Sequence, residues 1–186
     1  MESPSNELTR RMIARLNALS VAHMLTGSLA SNTHGVARAT KDADLVADID
    51  EKAVAALLVP DLVLDRQISF ETITLSTRWR FRVPRGTFTF EIFLVTDDPF
   101  DRERFARRQP IRFLGEPTWV ATAEDVVIQK LRWAVRARRA KDIEDAKNVI
   151  AVQANSLDWP YIRRWCDEHG SRELLEEVRV AGRVEA

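Results

Sequence analysis

Asp42-Ala43-Asp44 sets two carboxylates two residues apart at the start of an apolar stretch. On a strand, residues at that spacing point to the same face. Like charges so close are unfavourable unless a cation lies between them. A hard divalent ion such as Mg²⁺ takes oxygen ligands, commonly one or two carboxylates plus substrate phosphates. Such pairs are also common in surface turns, so the triplet alone is a weak signal and reads first as solvated. Upstream, Gly27-Ser28 closes a short apolar run and opens a helix. Glycine lets a backbone come close, and a helix start offers free N–H groups to a phosphate. The other reading is a tight turn with Ser28 as helix N-cap.

A third acid, Glu91, lies in the run Thr87–Val95. Phe88, Phe90 and Ile92 share one face of that strand, and Thr89, Glu91 and Phe93 the other. A buried acid in so apolar a strand needs a partner. A metal shared with Asp42 and Asp44 supplies one. An arginine ion pair, or an edge strand facing solvent, are the alternatives. Arg38 and Thr40 sit in the loop that leads into the carboxylates, a position suited to phosphate contact.

A second cluster follows toward the C-terminus. Lys130 lies in a helical pattern, and Arg138-x-x-Lys141-Asp142-x-x-Asp145 follows. Positions three apart on a helix are neighbours, so Asp142 and Asp145 share a face. These charges read either as a solvated helix face or as the best local patch for a phosphate or RNA backbone. His34 reads as a residue near the site or, alternatively, as one that packs the Gly35 turn. Arg102, Arg104, Arg107 and Arg108 read as a solvated helix. Trp119, Trp133, Trp159 and Trp165 fall in apolar periodic segments and are expected in the core.

Gly27-Ser28, thirteen intervening residues, Asp42-Ala43-Asp44 and a later strand acid resemble the nucleotidyltransferase superfamily that includes DNA polymerase beta. The string from Thr26 to Val46 is similar to a narrower branch, the bacterial nucleotidyltransferase-like proteins that include the AbiEii toxins. There His-Gly, Arg-x-Thr and Asp-x-Asp recur in this order, as His34-Gly35, Arg38-Ala39-Thr40 and Asp42-Ala43-Asp44 do here. The Lys130, Arg138 and Lys141-Asp142-x-x-Asp145 series also resembles that branch. The resemblance implies an α+β fold: a mixed β-sheet core flanked by helices, then a C-terminal helical part. It implies transfer of a nucleoside monophosphate from a nucleoside triphosphate to an acceptor hydroxyl. Asp42, Asp44 and Glu91 would be metal ligands and catalytic residues for two Mg²⁺ (or Mn²⁺) ions, which in such sites lie ~3.5–4 Å apart. Gly27, Ser28, Arg38, Thr40, Lys130 and Lys141 would meet the nucleotide, and Asp142 the acceptor. The acceptor would be a tRNA 3′ end or a protein, and a cognate antitoxin or toxin would be a partner. One position departs from the pattern. The third acid is usually Asp, and Glu91 is one methylene longer. That departure supports a second reading, a nucleotide- or partner-binding module that keeps the fold without transfer.

The chain of 186 residues carries 28 basic and 28 acidic side chains, so no global charge draws it to nucleic acid or to an anionic membrane. Its one cysteine excludes an internal disulfide. No apolar run approaches the ~20 residues of a membrane helix, and a cytoplasmic location is expected. Apolar spacing predicts a helix over 6–19, a strand over 21–25 and a helix over 29–34. A strand over 44–49 and a helix over 51–58 follow. Residues 62–78 show no clean period. Strands over 79–83 and 87–95 flank Pro84-Arg85-Gly86, a hairpin signal. A helix over 99–107 and a hairpin around Gly115-Glu116 come next. From 122 the pattern is helical throughout. The expected organisation is a core over 1–120 and a helical part over 121–186.

Overall fold

The computed structural model describes residues 4–58, 63–71, 76–82, 87–137 and 139–184. The chain packs as two units. One takes the residues up to Thr26 together with Thr40–Val120; the other takes Gly27–Ala39 together with the residues from Ala121 onward.

The first unit is built on one sheet of seven strands. They are β1 (His23–Thr26), β2 (Asp42–Ala47), β3 (Val63–Glu71), β4 (Ser76–Arg82), β5 (Thr89–Leu94), β6 (Gln109–Phe113) and β7 (Glu116–Val120), in the order β3-β4-β5-β2-β1-β7-β6. The β2–β5 and β1–β7 pairs are parallel and the rest antiparallel, so the sheet is mixed. The stretch without a clean period supplies β3, whose pairing with β4 shifts register between Asp65 and Ser69. That irregularity explains why no single period runs through it. The Pro84-Arg85-Gly86 turn and Arg138 lie outside the described residues. β6 and β7 are joined by Leu114 and Gly115, with φ of +50° and +86°. Two left-handed residues in a two-residue loop match the twist of a hairpin.

Three helices belong to this unit: α1 (Pro4–Ala18), α3 (Glu51–Ala56) and α4 (Pro99–Ala106). On α1, Leu8, Met12, Ile13 and Leu16 form the buried stripe, while Leu19, past its end, is exposed. Asp50 caps α3 by accepting the Ala53 N–H (2.8 Å), and Asp98 caps α4. The α4 arginines are not all solvated. Arg104 is buried and pairs with buried Asp101 (Nε–Oδ1, 2.8 Å), which also accepts from Thr96 Oγ1. The i,i+3 spacing of Asp101 and Arg104 makes this pair possible on one helix face.

The second unit is helical: α2 (Gly27–His34), α5 (Ala123–Ala137), α6 (Ala140–Gln153), α7 (Trp159–His169) and α8 (Arg172–Val184). Thr122 and Asp125 form a reciprocal cap at the start of α5. The Thr122 hydroxyl donates to Asp125 Oδ2 (2.8 Å) and accepts the Asp125 N–H (3.2 Å). Gly35 ends α2 against α6, where a Cβ would sit 3.0 Å from Val149 N. His34 packs this turn, its Nε2 lying 2.7 Å from the Ala121 carbonyl. Cys166 is buried, and burial pushes its thiol up to about 11, which leaves it unreactive. Among the described residues no helix is long and apolar enough to cross a membrane.

The four tryptophans expected in the core lie at its margin. Trp119 is exposed, and Trp133, Trp159 and Trp165 are half-buried. Each lies under a guanidinium, from Arg108, Arg139, Arg179 and Arg164 respectively, at 4.9–5.2 Å. An indole is too large to be fully covered at these positions, and its face attracts a cation. Periodicity registers apolar spacing and cannot see that partner.

His23 pins β1 to β7. Its Nδ1 lies 2.9 Å from the Val21 carbonyl, so that nitrogen carries the proton, and its Nε2 accepts from Thr118 Oγ1 at 3.0 Å. Burial, and after it the Arg108 charge, holds the imidazole below its ordinary 6.5, against the opposing pull of the Val21 bond. As pH falls, the unfolded chain therefore takes up this proton first, and the fold loses stability below about 6.5. Urea unfolding from about pH 7 to about pH 5 should show this loss. A His23→Gln variant should start less stable but lose less over that interval. Equal slopes for the two proteins would contradict the assignment.

Candidate functional site

The carboxylate part of the site is written into the register of the sheet. Asp42 and Asp44 share one face of β2, and both are half-buried. Residues opposite one another on paired strands point to the same face. Asp42 lies opposite Thr89 of β5, and Asp44 opposite Glu91. Thr89 and Glu91 in turn lie opposite Arg82 and Arg80 of β4. On its other side, Asp44 lies opposite Thr26 of β1. Thr26, Asp44, Glu91 and Arg80 thus form one row across four strands. Ala43 and Leu45, with Phe90, Ile92, Trp79 and Phe81, fill the opposite, buried face. Alternation on three adjacent strands therefore gathers all the charge on one face.

Thr40 does not reach outward. Its hydroxyl lies 2.5 Å from Asp42 Oδ1 and 3.1 Å from the Asp42 carbonyl. It fixes the carboxylate rotamer of Asp42. Glu91 is buried and its two oxygens are both engaged, Oε2 by Arg78 Nη1 (2.9 Å) and Oε1 by Arg80 Nε (2.7 Å). Arg78 also lies over the Phe93 ring at 5.8 Å. Glu91 is beside Asp44 on the same face, as the strand pattern requires. Its partners are the arginines of β4. Among the described residues, no group of three or more His, Cys, Asp or Glu side chains could hold a metal. Asp42 and Asp44 fit a divalent ion by spacing, face and exposure. Glu91 does not fit as a third ligand while two guanidinium groups hold its oxygens.

The helical unit holds a second polar cluster. Gly27 has φ of +56°, a left-handed conformation that glycine adopts without strain, and it turns the chain from β1 into α2. Ser28, one residue on, is buried, and its hydroxyl accepts from Arg38 Nη2 at 3.1 Å. Arg38 forks onto Asp145, Nε to Oδ1 and Nη2 to Oδ2, both at 2.7 Å. Lys130 Nζ lies 2.7 Å from Asp145 Oδ2 and 3.0 Å from Asp142 Oδ1. Arg139 Nε approaches Asp142 Oδ2 at 3.3 Å. Burial pushes the Asp145 carboxyl up, but the bonds and charges of Arg38 and Lys130 together outweigh it and hold it low. Lys130, Asp142 and Asp145 are buried; Lys141, one position from Asp142, is exposed. So Ser28, Arg38, Lys130 and Asp142 come together, joined through Asp145, and Lys141 does not join them.

The central role of Asp145 was open to inference from its spacing to Asp142 and no further. Arg78 and Arg80 carried a signal too, since they alternate with Trp79 and Phe81 on β4, but their partner Glu91 is fixed only by cross-strand register.

No family model matches the chain, and no curated protein matches it. Solved structures do. The antibiotic-resistance factor ANT(2'')-Ia aligns over 100% of this chain and 94% of its own, with a TM-score of 0.59 at 14% identity. The fold is that of the nucleotidyltransferases. An antigenic nucleotidyltransferase-like protein from Paracoccidioides brasiliensis aligns over 95% of this chain and 92% of its own, with a TM-score of 0.59 at 17% identity. ANT(2")-Ia in complex with adenylyl-2"-tobramycin aligns over 98% and 99%, with a TM-score of 0.56 at 13% identity. The expected α+β class, a mixed sheet with flanking helices, agrees with these neighbours.

Removing one partner of a buried ion network leaves the others uncompensated. Lys130→Met should destabilise the chain by about 3–5 kcal/mol, because Asp142 would lose its closest cation and Asp145 would keep only Arg38. Adding Asp142→Asn should recover part of that loss. Urea denaturation of the single and double variants tests it. A loss below about 1 kcal/mol would mark the cluster as solvated, as exposed pairs are.

Proposed function

We propose that the chain transfers a nucleoside monophosphate from a nucleoside triphosphate to an acceptor hydroxyl. One observation carries this reading: Asp42 and Asp44 stand side by side, half-buried, on one face of a central strand, with Thr40 fixing Asp42. The nucleotidyltransferase fold of the neighbours supports it.

Asp42 and Asp44 would hold Mg²⁺ or Mn²⁺, which when bound supplies Lewis acidity at the phosphates and charge for the leaving group. The Gly27 turn and the start of α2 would present backbone N–H groups to the phosphates. Lys141, exposed on α6, is the proposed further cation for the triphosphate. Arg38, Lys130, Asp142 and Asp145 hold Ser28 and one another in place. In the reaction the acceptor oxygen bonds to the α-phosphorus while the bond to the β-phosphate oxygen breaks. Pyrophosphate leaves, and the hydroxyl proton passes to solvent.

The resemblance of residues 26–46 to the AbiEii branch supports a toxin–antitoxin role, with a tRNA 3′ end or a protein as acceptor. ANT(2")-Ia with adenylyl-2"-tobramycin supports instead a hydroxyl on a small molecule. A second reading has its own observation. Glu91 is taken up by Arg78 and Arg80, which favours a module that binds nucleotide or partner without transfer.

Incubation with each α-labelled triphosphate and Mn²⁺ should yield pyrophosphate and a labelled acceptor. Asp42→Asn and Asp44→Asn should each slow this about a thousandfold, the size of losing several kcal/mol of charge stabilisation. Thr40→Val should weaken Mn²⁺ binding about tenfold in calorimetry, since it frees a ligating carboxylate. Wild-type rates in Asp42→Asn would end the transfer proposal, whereas Mn²⁺-independent triphosphate binding without pyrophosphate would favour the binding module.

A further inference from the structure

We propose that the outer face of the β6–β7 hairpin, built on Trp119 with Arg108 and Arg112, binds single-stranded nucleic acid. The inference goes beyond the transfer reading and does not depend on it.

Register defines this face. Pro110 lies opposite Trp119, and Arg112 opposite Pro117, so the four share one side of the hairpin. All four are exposed. Arg108, just before β6, joins them by lying over the Trp119 ring at 5.1 Å. Thr118 and Val120 alternate to the other side, where they are buried. Both arginines have neutral partners. Arg108 Nη1 donates to the Phe105 carbonyl at 2.5 Å, and the same guanidinium lies over the Phe105 ring at 4.3 Å. Arg112 Nη1 donates to the Gly115 carbonyl at 2.8 Å. Among the described residues no acid bonds either one. Glu116, the acid of the hairpin, points to the buried side and pairs with Arg10 of α1 at 2.9 Å. Asp101 of α4 is taken up by Arg104. β1, the next strand, carries no acid, and the carboxylates of β2, with Asp48 just past it, stand two strands from β7. The face therefore keeps two positive charges.

The stacked tryptophans differ in this respect. Trp133 and Trp159 are half-buried, and their guanidinium groups also hold an acid, Arg139 with Asp142 and Arg179 with Glu176. Trp119 is 39% exposed, and its arginine holds none. An exposed indole is a surface on which any base stacks, and guanidinium groups beside it meet the backbone phosphates. Arg108 lies against the indole. Arg112 stands two residues, ~7 Å, along β6 from Pro110, the residue opposite Trp119. A base stacked on Trp119 thus has a cation beside it and another further along the strand. Bases of a duplex stack on one another and do not reach the indole. An acidic protein segment would match the charge alone, whereas a single strand matches the charge and the ring together. A second copy of the chain would bring two such arginine pairs together, and Pro110, which has no N–H, blunts pairing along the free edge of β6.

The test uses the full chain without metal or triphosphate. Labelled oligouridylate, oligoadenylate, the duplex of the two, and polyglutamate are titrated by fluorescence anisotropy. Wild type should bind at least one single strand about tenfold more tightly than the duplex. Trp119→Ala should weaken that binding about tenfold, the size of one stacked base, and Trp119→Phe should keep most of it. Arg112→Gln should lower the salt slope by about 0.7, the release from one phosphate. Urea midpoints confirm that each variant is folded. Single-strand binding unchanged in Trp119→Ala, or a salt slope unchanged in Arg112→Gln, overturns the proposal. So does polyglutamate bound at least as tightly as either strand, which would mark an acidic protein as the partner. Self-association that depends on Trp119, with no strand bound, overturns it in favour of a second copy. Pyrophosphate release plays no part in these measurements, so failure of the transfer reading leaves their outcome unchanged.

Discussion

Three carboxylates on one face of two neighbouring strands cannot all stay charged without compensation. This constraint organises the sheet unit. Asp42, Asp44 and Glu91 are placed together by backbone register alone, which takes no account of their charge. The third is neutralised from within the chain, by two arginines on the next strand. The first two are set at the spacing that a divalent ion accepts. The same alternation that collects these charges sends Ala43, Leu45, Phe90, Ile92, Trp79 and Phe81 to the other face. Burial of that face holds the register, because a one-residue slip would turn every charge into the core.

The helical unit solves a similar problem in a different way. Asp142 and Asp145 are buried on one face of α6 and would repel each other there. Lys130 of α5 reaches both, and Arg38 forks onto Asp145 from the segment after α2. The network ties three segments that are distant in sequence, and its last link is the Ser28 hydroxyl. Gly35 allows the close approach of α2 and α6 that brings those segments into range. The Ser28 hydroxyl is thereby linked through Arg38, ten positions on, to Asp145, which lies 107 positions beyond Arg38.

Much of this was legible in the sequence. Two-residue spacing put Asp42 and Asp44 on one strand face, and i,i+3 spacing put Asp142 and Asp145 on one helix face. Strand and helix periods located nearly every described element. What was not legible has a common cause. The partner of Glu91 depends on which strand pairs with β5, and that is a long-range fact. The ion pair was one of the readings open from sequence, but nothing local chose it over a metal. Arg104 and the four tryptophans misled for the same reason. A buried arginine needs its acid and a surface indole needs its cation, and spacing reports neither partner. Thr40 is a subtler case. Its loop position suggested phosphate, yet a hydroxyl two residues before a carboxylate bonds that carboxylate first, because the bond is local and requires no ligand.

Zero net charge at the level of the chain hides this arrangement. The sum of 28 cations and 28 anions says nothing of where they stand. On the sheet face, the order along one row is hydroxyl, carboxylate, carboxylate, guanidinium: Thr26, Asp44, Glu91, Arg80. Such a row has direction. Its middle carries the carboxylates, which suits a cation. If Glu91 were an aspartate, its shorter side chain would draw its carboxylate nearer the backbone of β5, away from the guanidinium groups. Here Glu91, one methylene longer than the usual Asp, engages two arginines of β4 at once.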